Sequence, residues 1–428
     1  MLSYIEHVEI TDFWGNHHVN LPLKREVNFL IGPNGSGKTT VINLVAAALR
    51  VDLKTLGYAT FSRIRIKLHR VSPYAKPIVE VRRAISNDSA RESLEYHVYP
   101  KAGGAAEVFD LSDYYAWMYR RRGRIARQRS RATEHDVCYP IRNRIANLCD
   151  VSWLTVHRAE GSDPPEDSQS EFTSVDSKLM EISGSISQYF GILQKRATEE
   201  VAKFQESLVL SLISEQKQEV VLNRIKEIDL DEEEKSLARA FEEVDIPREK
   251  LQKKISQYFS HLRRGIRKAE KGEGVSLTDF YVIANSLRLN KIVSEWHDLD
   301  KRKERIFRLQ EAFLSVVNSL FERKELKVRD NNDMYVKTRS GKDLTLLDLS
   351  SGEKQLLIVL GQALLQREEN AIFIADEPEL SLHVEWQSRL VDSIRALNKN
   401  SQIVFATHSP DIVGRYGEDV HNMTEIIS

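Results

Sequence analysis

Short apolar runs lie near both ends of the chain and predict the strands of a buried parallel sheet. Val27–Ile31, Ala371–Ala375 and Gln402–Ala406 each span five largely apolar residues, a length and composition typical of strands covered on both faces. Residues 1–22 and 60–100 instead contain short segments that alternate apolar and polar positions. This alternation predicts an antiparallel sheet beside the parallel one.

The middle of the chain has a helical periodicity. Between residues 177 and 322, apolar residues recur at three- and four-residue steps, which predicts amphipathic helices whose stripes form a core rather than a surface kept for another protein. The first stripe contains Leu179, Ile182, Ile186, Tyr189, Leu193, Ala197, Val201, Phe204 and Leu208. Pro247 should end or kink the helical element before the stripe at Leu251–Ile266.

These patterns predict an α/β chain of several parts. The expected boundaries are an N-terminal lobe at 1–160, a polar, proline-bearing linker at 161–176, a helical insertion at 177–325 and a C-terminal lobe at 326–428. A chain of 428 residues exceeds the size of one hydrophobic core, so more than one lobe is expected.

A glycine-rich segment lies between the first apolar run and a predicted helix at Thr39–Leu49. It reads Gly-Pro-Asn-Gly-Ser-Gly-Lys-Thr from Gly32 to Thr39, the pattern of a loop whose backbone N–H groups and helix N-terminus cradle phosphates. Lys38 would reach the β- and γ-phosphates of ATP, and the Thr39 hydroxyl would ligate Mg²⁺. The expected nucleotide contacts here are Asn34, Gly35, Ser36, Gly37, Lys38, Thr39 and Thr40.

Two further polar groups follow the later apolar runs. Asp376 and Glu377 come directly after one run, and His408 comes shortly after the next. Ligands bind at the carboxyl ends of strands in open α/β sheets, so Asp376 would hold Mg²⁺, Glu377 would activate the attacking water and His408 would sense the γ-phosphate. Alone, an Asp-Glu pair is commonly a solvated turn and a histidine is more often structural, but their positions favour the functional interpretation.

With these motifs in place, the chain resembles ABC-type ATPases of the soluble branch that includes SMC proteins, RecF and the OLD family. The resemblance rests on the phosphate loop and on the runs at Leu349–Gln355, Ala375–His383 and Ala406–Pro410. It implies an α/β ABC-type P-loop ATPase head with an antiparallel β subdomain and a short helical insertion. It also implies a homodimer or higher oligomer, using ATP and Mg²⁺.

The resemblance assigns the Leu349–Gln355 run to a shared site. Ser350 and Gly352 of one subunit would complete the ATP site built by Lys38 and Glu377 of the other, and Glu353 is a further expected nucleotide contact. The loop at Ser381–His383 would couple the two sites. The glutamine that normally follows the first antiparallel segment is not assigned: Gln128, Gln169 and the run Thr155–Glu160 all stay open.

Composition narrows the class of protein. Lys and Arg number 62 against 63 Asp and Glu, for a net charge of −1, so any nucleic-acid binding must be local. Cys138 and Cys149 are the only cysteines and form no Cys-x-x-Cys pair, which argues against a disulfide framework or zinc hook. No run of 18 apolar residues occurs, so we expect a cytoplasmic protein with no membrane partner.

One local charge run stands out. Residues 120–131 contain seven arginines, with Tyr114, Tyr115 and Trp117 just before them. Arg120–Arg131 could therefore track nucleic-acid phosphates beside aromatic rings. A solvated helix face or a surface for an acidic protein partner fits the same run equally well.

The remaining sequence carries no recognisable nuclease pattern or Ser/His/Asp triad. Within its class the chain resembles the stand-alone ATPases of bacterial anti-phage systems, PtuA of Septu first and AriA of PARIS second, which implies an HNH-type nuclease as the partner. The leading hypothesis is a regulatory ATPase of such a defence complex. The alternatives are a RecF- or SMC-like repair ATPase that binds DNA itself, and a nucleotide-stabilised scaffold with little turnover.

Overall fold

The computed structural model describes residues 3–70, 75–85, 92–112, 137–155, 173–213, 230–242, 248–274 and 276–428. The chain divides into two compact units, Met1–Gln188 with Glu311–Ser428, and Tyr189–Gln310. The Arg120–Arg131 run, Gln128, Gln169, Pro247 and almost all of the predicted 161–176 linker lie outside the described residues.

Strands and helices are numbered here in chain order. The strands are β1 (Tyr4–Phe13), β2 (His17–Pro22), β3 (Val27–Ile31), β4 (Arg63–His69), β5 (Ile78–Ile85), β6 (Glu92–Tyr99), β7 (Glu107–Asp110), β8 (Val151–Thr155), β9 (Lys324–Val328), β10 (Met334–Thr338), β11 (Asp343–Leu344), β12 (Ile372–Asp376), β13 (Gln402–Ala406) and β14 (Val420–Asn422). Within the described residues the numbered α-helices are α1 (Lys38–Arg50), α2 (Leu53–Tyr58), α3 (Ser174–Ile213), α4 (Leu230–Glu242), α5 (Arg248–Glu270), α6 (Leu277–Leu320), α7 (Ser351–Leu365), α8 (Val384–Leu397), α9 (Pro410–Val413) and α10 (Met423–Ile426).

The central sheet of the first unit is parallel. Its described strands run in the order β14-β3-β13-β12-β8, and all four pairings are parallel. The apolar runs predicted as buried strands are β3, β12 and β13. Phe29, Phe373 and Phe405 are buried here, with ring centroids 6.3 Å apart for Phe29–Phe405 and 6.0 Å apart for Phe373–Phe405. Edge-to-face packing of these rings helps fix the three strands together.

Two outer strands of this sheet were not predicted from the sequence. β8 pairs with β12 from Val151 to Thr155, and β14 pairs with β3 over three residues. β14 is too short and too polar to carry a buried-strand pattern, while β8 mixes polar and apolar residues because it lies at the edge of the described sheet. Thr155 begins the run left open for the glutamine that normally follows the first antiparallel segment. It is the last residue of β8 and pairs with Asp376.

An antiparallel sheet covers α1, as the alternating segments predicted. Its described order is β2-β1-β4-β5-β6-β7, and its inward side chains form one core cluster with those of α1. The buried Tyr96 hydroxyl donates to the Ala48 carbonyl at 3.2 Å. The two sheets are also joined by Gln402, whose side chain accepts from the Ile5 N–H and donates to the Ile5 carbonyl, both at 2.8 Å.

Two long helices lie in the middle of the chain, and β9, β10 and β11 form a separate three-stranded sheet after them. α3 has 40 residues and α6 has 44, and the predicted stripe is buried from Leu179 to Ala197. In the second unit, Phe204 and Trp296 meet edge to face at 5.8 Å. The chain thus has the predicted α/β fold, with an antiparallel sheet, a parallel sheet and long helices. Among the described residues, no helix is both long and apolar enough to cross a bilayer.

Candidate functional site

The glycine-rich loop joins β3 to α1, at the position predicted for a phosphate loop. Gly37 immediately precedes α1 with φ of 86°, and Gly35 has φ of 80°. Side chains rarely adopt these values. A Cβ at Gly37 would lie 3.1 Å from Trp14 Cη2 and 3.2 Å from Phe13 Cε1. Glycine is therefore required both by the backbone conformation and by the packing beneath the loop.

Polar groups of the loop fit a phosphate ligand. The Ser36 hydroxyl is buried and, among the described residues, has no hydrogen-bond partner, so it can donate to an added oxygen. The Lys38 ammonium donates to the carbonyls of Gly32 at 2.9 Å and Pro33 at 3.1 Å. Lys38 is only 5% exposed, and this burial lowers the pKa of its ammonium group. The negative charges of Glu377 and Asp376 act in the opposite direction and offset part of that effect. A buried cation over a loop of N–H donors suits a polyphosphate.

Asp376 and Thr39 lie together at the carboxyl end of the sheet. Asp376 ends β12 and is 1% exposed, and the Thr39 hydroxyl donates to its Oδ1 at 3.0 Å. A hydroxyl and a carboxylate that converge beside a phosphate loop are the oxygen ligands that Mg²⁺ takes alongside nucleotide phosphates and water. These two residues therefore fit a Mg²⁺ site, although they lie 337 positions apart in the sequence.

Glu377 and His408 follow neighbouring strands of the sheet. The Glu377 N–H donates to the Ala406 carbonyl at 2.8 Å, which continues the β12–β13 ladder one residue beyond β12. Glu377 has φ of 47°, a left-handed value that is uncommon outside glycine and often accompanies functional sites. Its Oε1 lies 3.9 Å from His408 Nε2, and both side chains are partly exposed. Both groups can therefore reach a ligand at the phosphate loop edge.

Sequence reasoning missed Glu379, which organises the loop carrying His408. Glu379 is 9% exposed, and its Oε1 accepts from the Thr407 hydroxyl and, at 3.2 Å, from the His408 N–H. The Ser409 N–H in turn donates to the Thr407 hydroxyl at 2.9 Å. The available signal was a third carboxylate shortly after Asp376 and Glu377, but in sequence it resembles a solvated acidic turn.

The Leu349–Gln355 run forms the start of α7. Ser350 is its N-cap, and Glu353 accepts from the Ser350 N–H and hydroxyl, both at 2.8 Å, in a capping box. Lys324 donates to both Glu353 oxygens at 2.9 Å. A Cβ at Gly352 would lie 2.5 Å from the Ser381 carbonyl oxygen. Glycine here lets the helix approach the loop at Ser381–His383.

A second ion pair anchors the same helix. Lys354 Nζ lies 2.7 Å from Asp176 Oδ1, near the start of α3. The Lys354 ammonium, together with the hydroxyl and N–H of Thr173, holds the pKa of Asp176 at about 2. The start of α7 is thus fixed to the first turn of a 40-residue helix.

The predicted site residues fall into two groups. The described contacts bring together Lys38, Thr39, Asp376, Glu377 and His408 at the carboxyl edge of the parallel sheet. Asn34 and Gly35 are exposed on the loop, and Thr40 is half-buried in α1. The described side-chain contacts of Ser350 and Glu353 are with each other and with Lys324, and Gly352 packs against Ser381 and Trp386; none of these contacts is with the phosphate loop. Ser350 itself is exposed.

Comparison with protein families gives one match. A family model described as "AAA domain, putative AbiEii toxin, Type IV TA system" matches residues 189–414, just over half of the 428-residue chain. The matched range includes Ser350, Gly352, Asp376, Glu377 and His408. It leaves out the phosphate loop, which the geometry above joins to the matched part through the Thr39–Asp376 hydrogen bond.

Several solved structures are similar to this chain. The Smc head domain of Pyrococcus furiosus, bound to the C-terminal domain of ScpA, has 16% identity and a TM-score of 0.41 over 96% of this chain and 91% of that chain. The Smc head of Pyrococcus yayanosii has 18% identity and a TM-score of 0.35 over 96% and 93%. The SMC head domain of Thermotoga maritima has 11% and 0.39 over 99% and 94%. At identities and TM-scores this low, the similarity supports no conclusion about a shared partner or activity.

Proposed function

The chain belongs to the family described as AAA domain, putative AbiEii toxin, Type IV TA system, and from that premise we propose that it binds ATP with Mg²⁺ and hydrolyses it. The observation that carries the proposal is the 3.0 Å hydrogen bond between Thr39 and Asp376. It joins the phosphate loop to the carboxyl end of the adjoining sheet, where nucleotides bind in open α/β folds.

Each residue of the site then has a defined task. The loop N–H groups and Lys38 bind and orient the phosphates, while Thr39 and Asp376 supply oxygen ligands. Mg²⁺ held there would neutralise phosphate charge. Glu377, partly exposed and next to the phosphate edge, orients the attacking water and accepts its proton. His408, 3.9 Å from Glu377, contacts the transferred phosphate from the neighbouring strand.

We further propose that two copies of the chain share their ATP sites. Ser350 is exposed and held at the N-terminus of α7 by its capping box, where an anion is favoured by the helix dipole. Its described contacts lead away from the phosphate loop of the same chain. In this proposal the exposed Ser350 completes the site of a second copy in a symmetric dimer, and Gly352, buried behind it, lets the helix start pack closely against the Ser381 loop.

Subunit mixing tests the shared site. Lys38→Ala and Ser350→Arg homodimers should each lack activity, because every site has one defect. In a mixed dimer both defects fall in one site and the other site is intact. Equal mixing should therefore restore about one quarter of the parental ATPase rate per chain, from half of the dimers with one working site each. A mixture that stays inactive, although native mass spectrometry shows mixed dimers, would disprove the shared site.

For the biological role, we propose a regulatory ATPase subunit of a cytoplasmic anti-phage defence complex that controls a partner nuclease. Support comes from the motif resemblance and from the family description, since a toxin–antitoxin system has two components. The second unit, Tyr189–Gln310, contains none of the proposed ATP-site residues. On α6 it exposes Leu277 and Tyr281, which are 89% and 68% exposed and one helical turn apart. This exposed apolar pair suits a protein partner.

Pull-down of proteins encoded beside the gene tests this role. A co-purifying nuclease, lost with Leu277→Asp/Tyr281→Asp but kept with the exposed-surface control Lys195→Asp/Arg196→Asp, is expected. Nucleotide state should change the amount bound, because coupling requires the partner to prefer one state. A parent that binds ATP but releases no phosphate in single-turnover assays would favour a nucleotide-stabilised scaffold instead.

A further inference from the structure

A basic pocket lies on the small β9–β10–β11 sheet, and none of the proposed ATP-site residues is in its lining. Its volume is about 430 Å³, and its lining contains five cationic side chains against one carboxylate, that of Glu325. The cations are Arg323, Lys324, Lys327, Lys337 and Arg339. The whole chain has a net charge of −1, so this positive excess is a local feature rather than a general property of the protein.

Strand register places two of these cations opposite each other. The Arg339 N–H donates to the Arg323 carbonyl at 3.1 Å, which extends the β9–β10 ladder one step beyond the Lys324–Thr338 pair. Arg323 lies just before β9 with φ of 58°, and both arginines line the same pocket, where their like charges repel each other. Among the described residues, neither arginine forms a salt bridge with a carboxylate. An anion bound between them would relieve this repulsion.

The other cations of the pocket differ in how far they are neutralised. Lys324 is bound to Glu353 at 2.9 Å, and Lys327 to Glu325 at 3.1 Å. Lys337 is exposed and has no salt bridge within the described part of the chain. Strand register places Lys337 between Glu325 of β9 and Asp343 of β11, so Arg323 and Arg339 provide most of the uncompensated positive charge.

The same face of the hairpin also carries an aromatic ring. Alternation along the strands puts Tyr335 on the side of Lys337 and Arg339, and Tyr335 is half-buried. The guanidinium of Arg329 lies over its ring at 4.8 Å. Lys337 and Arg339, two positions apart on this face, are separated by roughly 6.6 Å along the strand. The face is thus a row of cations that continues to a stacked aromatic group.

We propose that this face binds the phosphate backbone of a nucleic acid. Arginine forks make bidentate contacts with phosphate oxygens, and a row of charges suits a repeating polyanion better than a single phosphate. Tyr335 with Arg329 supplies a surface on which an unpaired base stacks. A single-stranded segment is therefore the expected ligand. This assignment is independent of the Arg120–Arg131 run and of ATP hydrolysis.

Fluorescence anisotropy with a labelled single-stranded oligonucleotide, without ATP, tests the site in the full chain. The test variant is Arg323→Glu/Lys337→Glu/Arg339→Glu, which spares Lys324 because it holds Glu353. The control Lys195→Glu/Arg196→Glu/Lys399→Glu makes the same change in net charge at exposed positions elsewhere. The test variant should bind at least tenfold more weakly, and its slope of log affinity against log salt should fall by roughly two, about 0.7 for each lost phosphate contact on a single strand.

Other outcomes would overturn the assignment. One is equal weakening by the control triple, since net charge would then explain the effect. Another is binding that depends on Arg120, Arg121 and Arg122 but not on the hairpin cations. The assignment would also be wrong if the parent bound a poly-glutamate peptide as tightly as the oligonucleotide. The same holds if the parent bound no oligonucleotide at low salt. Circular dichroism and thermal melting confirm that each variant is folded, and a neutral Arg323→Gln/Lys337→Gln/Arg339→Gln triple should show a smaller loss.

Discussion

Glu379 offers the sharpest test of how the fold positions His408. Its carboxylate accepts from two donors of the following loop, the Thr407 hydroxyl and the His408 N–H. Thr407 is fully buried at 0% exposed, so water cannot easily replace the lost acceptor. Replacing Glu379 with alanine therefore leaves two donors without their partner and frees the backbone of His408.

The magnitude follows from those two hydrogen bonds. A buried donor left unsatisfied costs about 1–3 kcal/mol, and the Thr407 hydroxyl can rotate to recover part of that loss. We expect Glu379→Ala to lower the free energy of unfolding by about 2–4 kcal/mol. Glu379→Gln keeps an oxygen acceptor of the same reach, so it should lose only about 1 kcal/mol.

Steady-state ATPase kinetics separate positioning from stability. Below its melting temperature, Glu379→Ala should lower kcat by about 10- to 100-fold through misplacement of His408, with little change in KM, and Glu379→Gln should recover most of the rate. The double variant Glu379→Ala/His408→Ala should be no slower than His408→Ala alone, because both changes remove one function. Multiplicative losses in the double variant, or a parental kcat in Glu379→Ala, would refute the reasoning.

Three further predictions concern the proposed site and its support. Glu377→Gln should keep ATP binding but slow hydrolysis by about 10²-fold or more, measured by single-turnover phosphate release; an unchanged rate would remove Glu377 from the proposed role. Gly37→Ala should weaken ATP binding and lower the melting temperature, because the φ of 86° is strained for alanine and its Cβ would press on Trp14 and Phe13; calorimetric titration and melting check both. Lys354 depresses the pKa of Asp176 to about 2, below the usual value of about 3.9, so the stabilisation is complete above about pH 4 and is lost as pH falls towards 2. The difference in melting temperature between the parent and Asp176→Asn should shrink across that window, and a constant difference would contradict the ion pair.

Several parts of the fold could be predicted because their signals are local. β3, β12 and β13 are covered on both faces, so nearly every residue in them is apolar. α1 begins where the glycines end, since glycine adopts the φ of 86° before it without the strain that a side chain would bring. The apolar stripe from Leu179 to Ala197 shows the helical period directly. The α/β class follows from these elements.

Other elements gave no such signal. β9 and β10 belong to a small sheet with one exposed face, so polar residues occupy half of their positions and hide the strand pattern. β14 has only three residues. β14 is stabilised by pairing with β3, about 400 positions away, which a single sequence window cannot show.

The sequence by itself determined the chemistry of the candidate site. A phosphate loop, two adjacent carboxylates and a histidine after the next strand are identifiable by type and order, because nucleotide chemistry requires those groups at the ends of strands. It also determined that the middle of the chain is helical. The roles of the phosphate loop, the two carboxylates and the histidine in ATP binding and hydrolysis remain predictions.

Tertiary structure alone decided which distant groups meet. The hydrogen bond from Thr39 to Asp376 spans 337 positions, the link from Gln402 to Ile5 spans 397, and Glu379 reaches the His408 loop across 29. No local periodicity encodes these contacts, because parallel pairing of β3, β13 and β12 brings the ends of distant strands to one edge. The opposed arginines at positions 323 and 339 likewise follow from hairpin register, which is set by strand pairing rather than by composition.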